Sequence, residues 1–289
     1  MAIKIQTIKD IRFYLAGELE GAFTEAEIRS LANLIISSVL GLASMHQAYL
    51  SDLKVNKRQG EDIINICREL KEGKPVQYIL GETLFYDCKI RLNSATLIPR
   101  PETEELVELI INETRGFKGK IIDFGTGSGC IAIALAKNIP GTIVTGTDIS
   151  PDAIAIAEEN AGRNNVSVRF LVDDILIPET GNLDNAGIIV SNPPYVRNSE
   201  KEHMQRNVLD FEPHTALFVE DSDPLTFYRS ILHKAEILLQ PGGRIYFEIN
   251  EAMGSAMVTL LKSFGYSSVV LLKDINSKER FIKGLKHDR

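Results

Sequence analysis

The chain is short of the residues that several function classes require. Its three cysteines, Cys67, Cys88 and Cys130, are an odd number without metal-type spacing, so they argue against a disulfide framework. They read instead as buried thiols of a reducing compartment. The five histidines, His46, His203, His214, His233 and His287, are dispersed and form no H-E-x-x-H or related cluster, and no metal is expected. No apolar run reaches the roughly 20 residues that a membrane helix needs. Positive charge is not in excess: 32 Lys and Arg face 39 Asp and Glu, a net charge of −7. Nothing therefore points to a general nucleic-acid or membrane-surface binder. The opening MAIKIQTIKDIRFYLAGELEGAF lacks a signal-peptide core and carries acids that a transit peptide avoids. A cytoplasmic monomer is expected, touching neither membrane nor nucleic acid directly.

What is present suffices for a globular protein. In 289 residues, 44% are hydrophobic and 25% charged, ordinary values for a chain that buries a real core. Residues 1–74 read as a small helical bundle, with Thr24 and Glu27 forming a capping box and Gly73 and Pro75 a stop signal. Residues 75–98, VQYILGETLFYDCKIRLNSATLI after Pro75, alternate and carry aromatics, the pattern of a β-hairpin linker between two domains. From Pro99 to residue 289, strand-like and helix-like segments alternate, which predicts an open, largely parallel α/β sheet with helices on both faces. The link INSK between the last two strands is too short for a parallel crossover, so the final strand is expected to run antiparallel to its neighbour.

Ligands of such sheets bind beyond the carboxyl ends of the strands. There, IIDFGTGSGCIAIALA (121–136) runs strand, glycine turn, helix. Gly125, Gly127 and Gly129 let a ligand approach bare backbone, with Thr126 and Ser128 between them. A dinucleotide fingerprint, G-x-G-x-x-G, would need glycine where Cys130 stands. The spacing G-x-G-x-G, with Asp123 as its preceding acid, resembles the S-adenosylmethionine loop of class I methyltransferases. Asp148, closing the strand TIVTGTD, can accept from both ribose hydroxyls, while Ser150 serves as the cap of the next helix. Asp174 in FLVDDILIP is placed to accept from an adenine amino group, and Ile175 to cover a ring face.

The strand GIIV runs into SNPPYV (191–196). Two prolines remove two backbone donors and keep stiffly held acceptors. The Asn192 side-chain carbonyl and the Pro193 backbone carbonyl can hold both N–H bonds of a planar NH₂ group, turning its nitrogen lone pair toward a methyl donor. Pro194 stiffens that wall, and Tyr195 can stack on the flat group and exclude water. This chemistry is N-methylation, and it leaves adenine, guanine and a glutamine side chain open as acceptors. A cofactor-binding regulator without catalysis would have no use for such a wall.

The segments TLIPRPETEELVE (96–108), DFGTGSG, SNPPYV and FEPHTAL (211–217), with PVQYILGETLFY upstream and ERFIKG near the end, resemble the protein-(glutamine) methyltransferases that modify class-1 peptide chain release factors, the HemK/PrmC family. The likeness covers roughly residues 75–285 and implies a Rossmann-like methyltransferase domain at 99–289, with S-adenosyl-L-methionine as cofactor and S-adenosyl-L-homocysteine as product. It implies as substrate the glutamine of a release factor's Gly-Gly-Gln loop, bound by Asn192, Pro193, Pro194 and Tyr195. Gly125 to Gly129, Asp148 and Asn192 would line the cofactor site, and the helical N-terminal region would recognise the substrate protein. Ile175 departs from the aromatic that relatives often carry after the loop acid. The IPRPETE stretch is expected to close over the cofactor, with Arg100 and Glu102 alternatively in an interdomain salt bridge, and FEPHTAL to form a flap at the substrate entrance.

Overall fold

The computed structural model describes residues 5–42 and 50–287; parts of the expected helical region, including His46, and of the opening segment lie outside the described residues. Two compact units emerge, one running to Gly81 and taking in Arg206–Phe211, the other formed by Glu82–Gln205 and the residues from Glu212 onward.

The first unit is helical because its apolar residues recur at helical spacing behind good caps. Helix α1 (Ile8–Leu19) buries Ile8, Ile11, Leu15 and Leu19 and starts in a Thr7–Asp10 capping box. Helix α2 (Glu25–Leu40) starts in the Thr24–Glu27 box expected from the sequence and ends on Gly41 at φ 66°. Helix α3 (Lys57–Lys71) turns Ile63, Cys67 and Leu70 inward. A short helix α4 (Val76–Leu80) occupies the start of the segment read as hairpin, ending on Gly81 at φ 74°. One helical turn is compatible with VQYIL because Pro75 precedes it and a left-handed glycine follows it.

The hairpin itself is β1 (Glu82–Phe85) and β2 (Cys88–Arg91), joined through Tyr86 and Asp87, both at positive φ, the conformation a twisted two-residue turn demands. The second unit continues with α5 (Pro101–Glu113), β3 (Lys120–Phe124), α6 (Cys130–Asn138), β4 (Ile143–Asp148), α7 (Pro151–Arg163), β5 (Val168–Val172) and β6 (Ala186–Ser191). After β7 (Val196–Arg197), the chain makes α8 (Arg206–Phe211), which belongs to the first unit, and the second unit resumes with β8 (Phe218–Val219), α9 (Thr226–Leu238), β9 (Leu239–Glu248), α10 (Gly254–Ser263), β10 (Tyr266–Lys273) and β11 (Glu279–Lys286). The main sheet has the order β10-β11-β9-β6-β3-β4-β5. Its β9, β6, β3, β4 and β5 are parallel, and β11 runs antiparallel between β9 and β10, as the short link requires. Strand β9 begins at Leu239, with Pro241 to Gly243 absorbed as an irregularity against β6.

The hairpin is held by side-chain amides. On α7, Asn160 accepts from the Arg91 N–H at 2.7 Å and donates to the Arg91 carbonyl at 3.0 Å. One turn on, Asn164 repeats the pattern on Lys89. Asn160 also donates to the Ser128 carbonyl at 2.9 Å, so one buried amide ties hairpin, helix and glycine loop together. All three cysteines are buried free thiols, and burial pushes Cys130 up to about 12. Among the described residues no helix is long and apolar enough to cross a membrane.

Candidate active site

The chain reverses direction of travel at β3: β4 and β5 lie on one side of it and β6 on the other, and the carboxyl ends of all four open into one cavity of about 450 Å³. This is where an open α/β sheet accommodates ligands. A broader depression near Lys118, Lys120 and Asp184 sits at the amino ends of the strands and contains none of the expected site residues.

Of those residues, Gly125, Gly127, Asp148, Asp174, Ile175, Asn192 and Pro194 line the cavity. The others stand behind it. Asp123 is fully buried, accepting from the Thr126 hydroxyl at 2.6 Å. Its second oxygen is buried without a well-formed hydrogen bond, and burial raises its carboxyl to about 7, the Thr126 hydroxyl and the Ala132 amide only partly offsetting this. Thr126 and Ser128 are buried inside the turn. Gly129, at φ 80°, lies so close to α7 and β5 that a Cβ there would sit 3.0 Å from Ala157 and 3.1 Å from Phe170. The third glycine therefore serves packing, and the first two leave backbone open to a ligand.

Asp148 is the last residue of β4. Its carboxylate accepts from the Gly127 N–H at 2.9 Å and the Ser150 N–H at 3.0 Å, bracing the glycine loop, and it still faces the cavity. Burial raises its affinity for a proton, with those backbone donors opposing the rise. Ser150 caps α7 by accepting from the Ala153 N–H. Asp173 joins Asp148 and Asp174 in the lining, which among the described residues has three acids and neither Lys nor Arg. A phosphate-bearing nucleotide would be repelled there, whereas a cationic, adenosyl-containing sulfonium is favoured. The bare glycine backbone and the apolar Ile149, Ile175 and Leu176 fit the same group.

At the end of β6, the Asn192 side-chain nitrogen donates to Thr103 Oγ1 at 3.2 Å, which leaves its carbonyl for the cavity that Asn192 lines. Pro193 is buried. Tyr195 is outside the lining: its hydroxyl donates to Glu248 at 3.0 Å and its ring packs on the core of the sheet, where bracing replaces the stacking expected of it. Burial beside the Glu248 charge raises the Tyr195 phenol strongly.

Several lining residues were not singled out in the sequence. Ala95 and Leu97 come from the stretch leading into IPRPETE, and Pro213, Thr215, Ala216 and Phe218 from the stretch around FEPHTAL. Those two stretches are fastened together, since the Glu212 side chain, 1% exposed, accepts from Arg100 at 2.7 Å and from the Ile98 N–H at 3.3 Å. Arg100 is thus paired within the second unit, in place of the interdomain bridge considered for it. The residues between Tyr195 and FEPHTAL contain β7, a 3₁₀ turn at Asn198–His203 and most of α8. Pairing of β7 with β8 carries Phe218 back to the cavity. Thr103 and Glu248 are the functional candidates that sequence reasoning missed; Thr103 lies inside a motif it had noticed, but Glu248 carried no local signal.

Comparison with known proteins agrees with this geometry. A family model described as "Methyltransferase small domain" matches residues 102–210, which include the glycine loop, Asp148 and Asn192 to Tyr195. The fold resembles a crystal structure of a methyltransferase from Pyrococcus furiosus, with a TM-score of 0.53 and 18% identity, over 81% of this chain and 100% of that one. A release factor glutamine methyltransferase from Bacteroides thetaiotaomicron is 40% identical over 94% of this chain and 98% of its own. One from Flavobacterium psychrophilum is 45% identical over 96% of this chain and 98% of its own. At that identity over nearly the whole length, the chain belongs to the release factor glutamine methyltransferases.

Proposed function

We propose that this enzyme transfers a methyl group from S-adenosyl-L-methionine to the side-chain amide nitrogen of the glutamine in the Gly-Gly-Gln loop of class-1 peptide chain release factors. The observation that carries the reading is the Asn192 amide, whose nitrogen is tied back to Thr103 so that its carbonyl serves the cavity. Asn192 Oδ1 and the Pro193 carbonyl would each accept one N–H of the carboxamide. Gly125, Gly127 and Asp148 would hold the cofactor, Asp148 at the ribose, with Asp174 at the adenine amino group and Ile175 on the ring. When bound, the cofactor supplies an activated methyl group and leaves as S-adenosyl-L-homocysteine.

The two acceptors contribute about 1 kcal/mol each in ordinary terms. Their larger effect is alignment of a poor nucleophile, and such positioning supplies up to roughly 7–11 kcal/mol. A methylated amide nitrogen sheds its proton to water, so the wall of Asn192, Pro193 and Pro194 needs no strong general base. A glutamine flanked by glycines is slim enough for a cavity of about 450 Å³. The acidic lining, with no cation for a phosphate track, disfavours the alternative acceptors, adenine and guanine in nucleic acid. The helical unit would contribute recognition of the release factor surface, in the cytoplasm where translation ends.

The test is methyl transfer from labelled cofactor to a release factor, to its Gln→Ala loop variant, and to bulk RNA and DNA. Label on the release factor alone, absent from the loop variant, is expected; label on nucleic acid alone would reject the reading. Asn192→Ala is expected to lower kcat roughly 100-fold or more while the fold stays intact. Near-normal rates in that variant would remove the orientation mechanism.

A further inference from the structure

A buried carboxylate stands one residue away from the catalytic wall with no assigned task. Glu248 closes β9, the parallel neighbour of β6, and is 1% exposed. Ser191 pairs with Phe247 across these strands, which brings Asn192 and Glu248 to the same level of the sheet. Between them stands Thr103, in the first turn of α5 and 2% exposed. Thr103 Oγ1 lies 2.7 Å from Glu248 Oε2 and 3.2 Å from Asn192 Nδ2, and Tyr195 reaches the other Glu248 oxygen at 3.0 Å.

The direction of this chain follows from proton inventory. An ionised carboxylate only accepts, so the Thr103 hydroxyl must spend its single proton on Glu248. Its oxygen can then only accept from Asn192, and what Asn192 has to give is its NH₂ group. The amide is left one orientation, with its carbonyl toward the cavity. Turned over, it would set oxygen against oxygen at Thr103 and offer donors to a substrate that itself brings two donors.

We propose that Glu248 and Thr103 are positioning residues whose hydrogen-bond chain sets the polarity of Asn192, so that the slot accepts N–H groups and rejects acceptors. The inference rests on the amide-methylation reading of the site. It explains why a carboxylate is kept in the core, where an unneeded charge would be costly. Burial pushes Glu248 above the ordinary carboxylate range, Thr103 and Tyr195 opposing this by their hydrogen bonds and Arg280 by its charge, while Glu102 adds to it. Tyr228 faces it as well, donating to its backbone carbonyl. Protonation of Glu248 would free the chain to run in either direction, so turnover falls on the acid side of its titration.

The experiment measures kcat and KM for a release factor substrate, and S-adenosylmethionine affinity by calorimetry, for wild type, Thr103→Val and Thr103→Ser. Thr103→Val keeps the shape and removes the relay, and is expected to lower kcat roughly 10- to 100-fold with KM and cofactor affinity little changed. Thr103→Ser restores the hydroxyl and is expected to return kcat to within about threefold of wild type. A Thr103→Val enzyme with wild-type kcat, or a serine variant as slow as the valine one, overturns the proposal. Should Thr103→Val not fold, Glu248→Gln decides: it must lose the acid limb of the kcat profile, and a retained limb sinks the idea. Failure of the relay alone appears as an active wild type beside an equally active Thr103→Val. A wild type that labels no glutamine rejects both readings.

Discussion

Replacing Lys234 with methionine tests how the acidic wall of the cavity is held in place. Lys234, on α9, is 0% exposed, and its ammonium donates to Asp173 at 2.8 and 3.0 Å and to the Glu179 carbonyl at 3.1 Å. All three of its protons are therefore used. Asp173 follows β5 directly and joins Asp174 in the cavity lining, and its side chain is 16% exposed. Methionine fills similar space without charge, so the loss is that of one partner from a buried pair, which typically costs 3–5 kcal/mol. The partial exposure of Asp173 puts the expectation at the lower end, about 3 kcal/mol, or roughly 6–12 °C in the melting of a unit this size. Chemical denaturation of Lys234→Met and of Lys234→Met with Asp173→Asn checks it. The double variant no longer buries an unpaired charge and is expected to regain at least about half of the loss. Affinity for S-adenosylmethionine should fall in the single variant, because residues 173–176 lose their anchor. A single variant within about 1 kcal/mol of wild type, or a double variant no more stable than the single, would refute the reasoning.

Asp123 should make stability depend on pH. Its folded-state carboxyl titrates at about 7 against an ordinary 3.8, so the folded protein holds that proton more tightly than the unfolded chain. Relative to Asp123→Asn, wild type should lose stability as pH rises from about 4 to about 7, by up to about 4 kcal/mol, and stay level above that. Denaturant melts of the cofactor-free proteins check this, and parallel curves would contradict it. Gly129→Ala is expected to cost about 2–4 kcal/mol, from a left-handed backbone and from a Cβ pressed to 3.0 Å against Ala157, measured by the same melts.

Much of the architecture was legible because the relevant physics is local. Capping at Thr24 and Glu27 acts within one helical turn, so the start of α2 could be read from four letters. The glycine turn after β3, the acid closing β4 and the amide after β6 are each fixed by a strand ending, and any parallel sheet gathers its strand ends on one side. The antiparallel course of β11 followed from a link too short to cross over. VQYIL misled because apolar residues over five positions suit one helical turn as well as a strand, and the deciding Pro75 and Gly81 lie at its edges.

The amino-acid sequence by itself determined the α/β class, the glycine turn after β3 and the proline-backed end of β6, since each depends on residues a few positions apart whose backbone preferences and side-chain chemistry are intrinsic. The tertiary structure alone decided what stands behind that wall. Thr103 meets Asn192 across 89 positions and Glu248 across 145, and Lys234 meets Asp173 across 61. Such meetings are governed by strand order and by which buried groups find a partner. A carboxylate in the core has no signature until the fold has closed around it.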